Sequence, residues 1–249
     1  MTTLLLLGVS GVFAGIVNTL AGGGSFVSLA ALIFIGLPAD MANATNRVAV
    51  LLQSGVSTEA FRRAGQFEGQ QWWLIPVTCG GAAIGAATAV FVQPNHLQTV
   101  IGVAMLAMLV WMLFAPQSFG EAGEPKREGF TVRGALAMGC VGVYAGFLQA
   151  GVGIVMLAVM VFWLGHGVVE ATATKVSLIF VWTIPALTIF ALSGLVDWRA
   201  GIVLGVGAAI GGWVGAKLTL WGGAGLIRWV LIAVLAVSSV RLLSDGLVW

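Results

Sequence analysis

The sequence predicts an all-α polytopic membrane protein built of two inverted repeats of transmembrane helices, and three observations predict it. First, 59% of the 249 residues are hydrophobic and only 8% are charged, against about a quarter charged in an ordinary soluble domain. With a mean hydropathy of +1.05, too few polar side chains remain to cover a globule in water, which excludes a soluble enzyme or a nucleic-acid binder. Second, the charges are confined. None precedes Asp40 and none falls in 69–120 or 134–169, runs that accommodate the roughly 20 apolar residues of a bilayer span. Third, the chain repeats itself. Gly11-Val12-Phe13-Ala14-Gly15 matches Gly142-Val143-Tyr144-Ala145-Gly146 at an offset of 131, with Asn18 on Gln149 and Gly22 on Gly153. Past the glycine cluster the offset is 129, pairing Gly36 with Gly165, Ala42-Asn43-Ala44-Thr45 with Ala171-Thr172-Ala173-Thr174, Gly65 with Gly194 and Glu68 with Asp197. Such a duplication divides the chain into a first repeat at 1–116, a linker at 117–133 and a second repeat at 134–249.

Taken in order, segment 4–20 has the length of a signal peptide but no Lys or Arg in its opening residues. It runs into Ala21-Gly22-Gly23-Gly24 and more apolar chain, so it is expected to be a retained helix. Segment 26–36 is too short to cross comfortably. The glycine break before it points to a re-entrant or discontinuous element, irregular backbone that lipid permits only where protein or a water-filled cavity surrounds it. Segments 41–61, 71–92 and 97–114 complete the first repeat, with Gln93-Pro94-Asn95-His96 as the turn between the last two. Six charges, Pro125 and three glycines then make 120–133 a solvated linker. The second repeat reads 134–150, 153–164, 169–192, 199–220 and 226–243, with its own break at Gly151-Val152-Gly153. Small residues four apart, among them Gly11 and Gly15, Gly81 and Gly85, and Gly142 and Gly146, are read as close-packing positions.

Arg62-Arg63 follow the third segment, and Lys126-Arg127 and Arg133 fill the linker, which places both loops in the cytoplasm. An odd number of crossings per repeat then starts the second repeat from the opposite side, with both termini outside.

Few groups could carry chemistry. Asn43, Thr45, Asn46 and Arg47 open the third segment of the first repeat, and Thr172, Thr174 and Lys175 open that of the second. Cations and hydroxyls in the first turns of a helix would meet free N–H groups and a dipole that already favour an anion. Arg47 and Lys175 could equally snorkel to lipid headgroups. Asn18 and Gln149, just before the breaks, could hold an oxyanion or tie the broken backbone together. With Gly22, Gly23, Gly24 and Gly153 these form the candidate substrate site. Asp40 and Glu170 read as caps or first-turn charges, and Gln53, Ser54 and Ser177 as glue between helices. Cys79 and Cys140 lie far apart in apolar segments and read as buried, inert thiols. His96 and His166 are not spaced as metal ligands. Gly8-Val9-Ser10-Gly11 imitates the serine motif of rhomboid-type proteases but lacks a base within reach, and no phosphate-binding loop is present. No enzymatic activity, cofactor or metal is expected. The expected partners are a small anionic substrate and the lipid bilayer, with no nucleic acid and with a homo-oligomer left open.

Residues 14–25, then Gly36-Leu37-Pro38, Ala42-Asn43-Ala44-Thr45-Asn46 and Glu170-Ala171-Thr172-Ala173-Thr174-Lys175, resemble the sulfite exporter TauE/SafE family, also called the 4-toluene sulfonate uptake permease family. The resemblance covers nearly the whole chain. It implies a secondary carrier in the bacterial inner membrane that moves sulfite, sulfonates or related organosulfur anions. Ser25 stands where the family has a further glycine, and the second cluster is thinned to Gly151-Val152-Gly153. The alternatives are a carrier for a non-sulfur anion and a membrane subunit or scaffold that moves nothing.

Overall fold

The computed structural model describes residues 2–66, 73–97, 99–101, 103, 132–163 and 166–245, with side chains in the last helix described to residue 222. Every regular element among them is helical: α1 Thr2–Leu20, α2 Gly24–Phe34, α3 Ala39–Arg63, α4 Leu74–Val90, α5 Val132–Phe147, α6 Val152–Ala158, α7 Val168–Leu192 and α8 Trp198–Asp245. A π-helical turn, Val159–Trp163, prolongs α6. Most of segment 97–114, and the linker up to residue 131, lie outside the described residues. Among the described residues, three stretches are long and apolar enough to cross a membrane, Thr3–Leu20, Val168–Leu192 and Trp198–Gly222. α3 matches α7 in length, but its buried side carries Asn43, Asn46, Arg47 and Gln53. With 11 residues at about 1.5 Å each, α2 reaches only about half the depth of a bilayer's ~30 Å core, and α6 is shorter still.

One element differs from expectation. Segments 199–220 and 226–243 are a single helix, α8, of 48 residues. Glycines 222, 223 and 225 weaken a helix by about 1 kcal/mol each, yet none removes an N–H. In lipid, the intrahelical bond is the partner the backbone has. At roughly 70 Å, α8 is more than twice the thickness of the hydrocarbon core, so only part of it can span.

Glycine decides which helices touch. Gly11 and Gly15 of α1 lie against the backbone of Leu204, Ala208 and Gly212 in α8, and Gly207 and Gly211 of α8 lie against Gly8, Val12 and Ile16 of α1. The same meshing joins α4 to α5, where Gly81 and Gly85 face Gly139, Val143 and Phe147, and Gly142 and Gly146 face Thr78 and Ala82. Without side chains in the way the backbones come into contact, and dispersion over that contact replaces the hydrophobic drive that lipid removes. The first helix of each repeat therefore packs on the fourth helix of the other. α3 and α7 pack on each other, on α8 and on α4 respectively.

The outward faces carry Leu5, Leu6, Val9, Phe13, Ile84, Ile202, Val206 and Ile210, as suits contact with acyl chains. Cys140 is on this surface and Cys79 is half-buried, so the expectation of two buried thiols fails at Cys140; a small apolar group gains nothing by leaving lipid for the interior. Asp40 and Glu170 sit in the first turns of α3 and α7, whose caps are Pro38 and Gly167. Glu170 Oε1 meets His166 Nδ1 at 3.0 Å. A side-chain cap appears instead at α8, where Asp197 Oδ1 accepts from the Ala200 N–H at 2.9 Å while the Asp197 N–H donates to Thr45 Oγ1.

Candidate functional site

The two glycine breaks meet. Gly22 has φ +84 and Gly151 φ +73, the left-handed backbone that glycine adopts without cost. Gly22 and Gly153 touch main chain to main chain, so a Cβ on either would overlap the other's backbone. Gly24 fits against Ala14 and Asn18 in the same way, whereas a Cβ on Gly23 would meet only side chains, Ile154 at 3.5 Å and Phe26 at 4.0 Å. Gln149 takes φ +61 although it carries a side chain, a conformation costing on the order of 1–3 kcal/mol unless its surroundings fix it. They do: Gln149 Oε1 accepts from Arg47 Nη1, and its Nε2 donates to Thr183 Oγ1 at 3.3 Å. Tyr144 also pins this break, donating its hydroxyl to Ala150 O at 2.6 Å.

Each cation closes on the opposite repeat. Arg47 Nη1 donates to Ala145 O as well as to Gln149, and Nη2 donates to Gly146 O at 2.7 Å, with the guanidinium 5.3 Å from the Phe190 ring centre. Lys175 Nζ donates to Thr19 O at 2.8 Å and Asn18 O at 3.3 Å. The acceptors are carbonyls at the C-terminal ends of α5 and α1. Helix ends leave such carbonyls unbonded within the helix, and the dipole there is negative.

Two sequence expectations change here. Arg47 and Lys175 do not open their helices: α3 starts at Ala39 and α7 at Val168, so both cations lie about two turns inside, beyond the first turn to which the N-terminal dipole reaches. Nor do they snorkel, for both are fully buried. Among the described residues neither meets a carboxylate; the carboxylate contacts with basic side chains there are the ion pairs of Glu59 with Arg62 and Arg63 at the exposed end of α3, and the approach of His166 to Glu170.

Beside these contacts lies a small cavity between α1, α2, α3 and α8, whose mainly apolar walls also carry Asn18, Ser25, Ser28, Asn46 and Gln53. Its free interior of ≈ 10 Å³ is about what one water needs. Asn18 Nδ2 donates to Gln53 Oε1 at 2.6 Å, and Gln53 Nε2 to Thr19 Oγ1 at 2.8 Å. Ser28 Oγ donates to Asn46 Oδ1 at 2.6 Å. α2 starts at Gly24 with no side chain capping it.

Of the other predicted residues, Asn43 Nδ2 donates to Phe147 O at 2.8 Å, Thr45 ties down the α7–α8 turn as above, Thr172 bonds to Val168 O within its own helix, and Thr174 is buried. The residues missed as site candidates are Ser25, Ser28 and Gln53. Ser25 and Ser28 share a face at helical spacing just past a break, and Asn46 and Gln53 are seven apart on α3, a pattern that could have joined them.

Residues 7–242 match the family described as Sulfite exporter TauE/SafE. "Probable membrane transporter protein YfcA" of Escherichia coli (strain K12) is 32% identical over 250 residues, covering 99% of this chain and 93% of that protein. "Probable membrane transporter protein ORF9" of Sinorhizobium sp is 28% identical over 243 residues, with 97% and 93% covered. A "Probable membrane transporter protein" of Haemophilus influenzae is 25% identical over 243 residues, with 97% and 95% covered. No solved structure matches.

Proposed function

Since the chain belongs to the sulfite exporter TauE/SafE family and is a membrane transporter, we propose that its cargo is a small oxyanion: sulfite, a sulfonate or a related organosulfur anion. The observation that carries this is the pair of fully buried cations, Arg47 and Lys175, whose hydrogen-bond acceptors among the described residues are all neutral oxygens. A central Arg or Lys costs on the order of 2.5–3.5 kcal/mol on insertion scales. Carbonyl dipoles offset part of that, and an arriving anion supplies the full opposite charge. The binding region is the meeting of the breaks, bounded by Asn18, Gly22 to Gly24, Asn46, Gln149 and Gly153, with Arg47 and Lys175 directly behind it. No phosphate-binding loop occurs in the sequence, so the chain has no ATP motor of its own, which supports reading it as a secondary carrier. It works in the bacterial inner membrane as two inverted repeats, the linker cytoplasmic and both termini outside.

The test uses this chain alone in proteoliposomes preloaded with unlabelled sulfite, with radiolabelled sulfite added outside. Counterflow accumulation is expected, with competition by thiosulfate or methanesulfonate identifying the preferred cargo. No exchange of sulfite, sulfate, thiosulfate or methanesulfonate would leave the chain a non-transporting subunit or a carrier of another anion.

A further inference from the structure

We propose that the oxygens of the transported anion are read by the first repeat alone, through the Asn46 amide, the N-terminus of α2 and the Ser25 hydroxyl. This rests on the oxyanion reading above and adds to it which side chains touch the cargo and what kind of contact they make.

Asn46 is fully buried in the cavity wall, and its Nδ2 has no hydrogen-bond partner among the described residues. Its other end is fixed, since Ser28 Oγ donates to Oδ1 at 2.6 Å. The amide is thereby oriented with two donor hydrogens unspent, an arrangement that costs stability unless something accepts them. The neighbouring amides do not share this property: Asn18 Nδ2 is spent on Gln53, and Gln53 Nε2 on Thr19. Facing the same cavity is the start of α2 at Gly24 and Ser25, where first-turn N–H groups lack intrahelical acceptors and no side chain caps them. The Asn46 amide hydrogens and the first N–H groups of α2 are neutral donors. The ligand such a site takes has several acceptor oxygens and a negative charge, as sulfite and the sulfonates have.

The second repeat does not copy this site. At the 129-residue offset, Ser25, Ser28, Asn46 and Gln53 fall on Ile154, Leu157, Lys175 and Trp182. The place of the unspent amide is taken by the lysine, whose ammonium is turned onto the Asn18 and Thr19 carbonyls, immediately behind the cavity wall. The first repeat supplies these hydrogen bonds, and each repeat supplies one buried cation, Arg47 and Lys175. An anion held by neutral donors, with its counter-charge one residue removed, is bound firmly enough to enter and loosely enough to leave, which conduction and transport require.

Asn46→Asp keeps the acceptor for Ser28 and nearly the same shape but replaces the unspent donor by an acceptor. Together with Ser25→Ala it is to be measured in sulfite counterflow. Each is expected to raise the half-saturating concentration roughly 10- to 100-fold, the worth of a hydrogen bond to a charged group. In a background without Cys79 and Cys140, Ser25→Cys and Ile154→Cys give a second readout independent of turnover. Methanesulfonate should slow maleimide modification at position 25 and leave position 154 unchanged, and this decides the matter if Asn46→Asp does not fold. Wild-type half-saturation in both pocket variants, or equal protection at 25 and 154, overturns the one-sided site while leaving oxyanion transport standing. Failure of the unaltered chain to exchange any of the four anions overturns the underlying reading instead.

Discussion

A cation buried in an apolar bundle has to be offset, and at Arg47 and Lys175 most of the offset is backbone. Arg47 serves three acceptors at once because the guanidinium is a flat fork; an ammonium on a lysine stem cannot reach Ala145 O, Gly146 O and Gln149 Oε1 together. Arg47→Lys should therefore leave at least one buried acceptor unpaired, at about 1–3 kcal/mol, and lower the melting temperature in detergent by several degrees, whereas Arg63→Lys, in an exposed ion pair, should leave it unchanged. An unshifted Arg47→Lys melt would mean that the carbonyl contacts contribute no stability. The sequence made the two cations legible, along with their recurrence in both halves. Their partners were not legible, for a simple reason: the acceptors are main-chain oxygens of Ala145, Gly146, Asn18 and Thr19, and every residue type carries one. Asn46 was legible as a polar residue in an apolar helix, but which of its hydrogens is unspent depends on Ser28, eighteen residues away.

At the scale of helices, adjacent glycines separate two roles. A Cβ at Gly81 would lie 2.5 Å from Gly139 O and 2.9 Å from Val143 N, while one at Gly80 meets nothing within 4 Å. Gly80→Ala should be neutral or stabilising by up to about 1 kcal/mol through helix propensity. Gly81→Ala should force α4 from α5 and sharply reduce the yield of folded protein on size exclusion, and equal yields for the two variants would show that the backbone contact is dispensable. The spacing of small residues announced that close-packed helices exist. It could not say which pair, because a glycine four residues from another describes a groove and not its occupant. The same applies to the breaks: their glycines were evident at 22–24 and 151–153, and their mutual contact was not. α8 was misread because its glycines resemble punctuation, although none removes a backbone donor.

For the whole molecule, the duplication, the apolar segments and the membrane setting follow from composition and self-similarity. The proposed inverted arrangement predicts that single cysteines near residues 2 and 248, in a background without Cys79 and Cys140, label from the periplasmic side, and that one near Lys126 labels only from the cytoplasm. Termini on opposite faces would require an odd total of crossings, with an even number in one of the repeats, and would remove the inversion.

What composition could not reveal is that the two repeats exchange their first helices, and this bears on how the protein is made. Leu204, which packs against Gly11, leaves the ribosome roughly 190 residues later, which at about 5–20 residues per second is on the order of 10–40 s. Throughout that interval the groove of α1 has only lipid to fill it. The α4–α5 pair can close much sooner, across the linker. Biogenesis therefore runs from the middle of the chain outward, with its oldest helix the last to find its place.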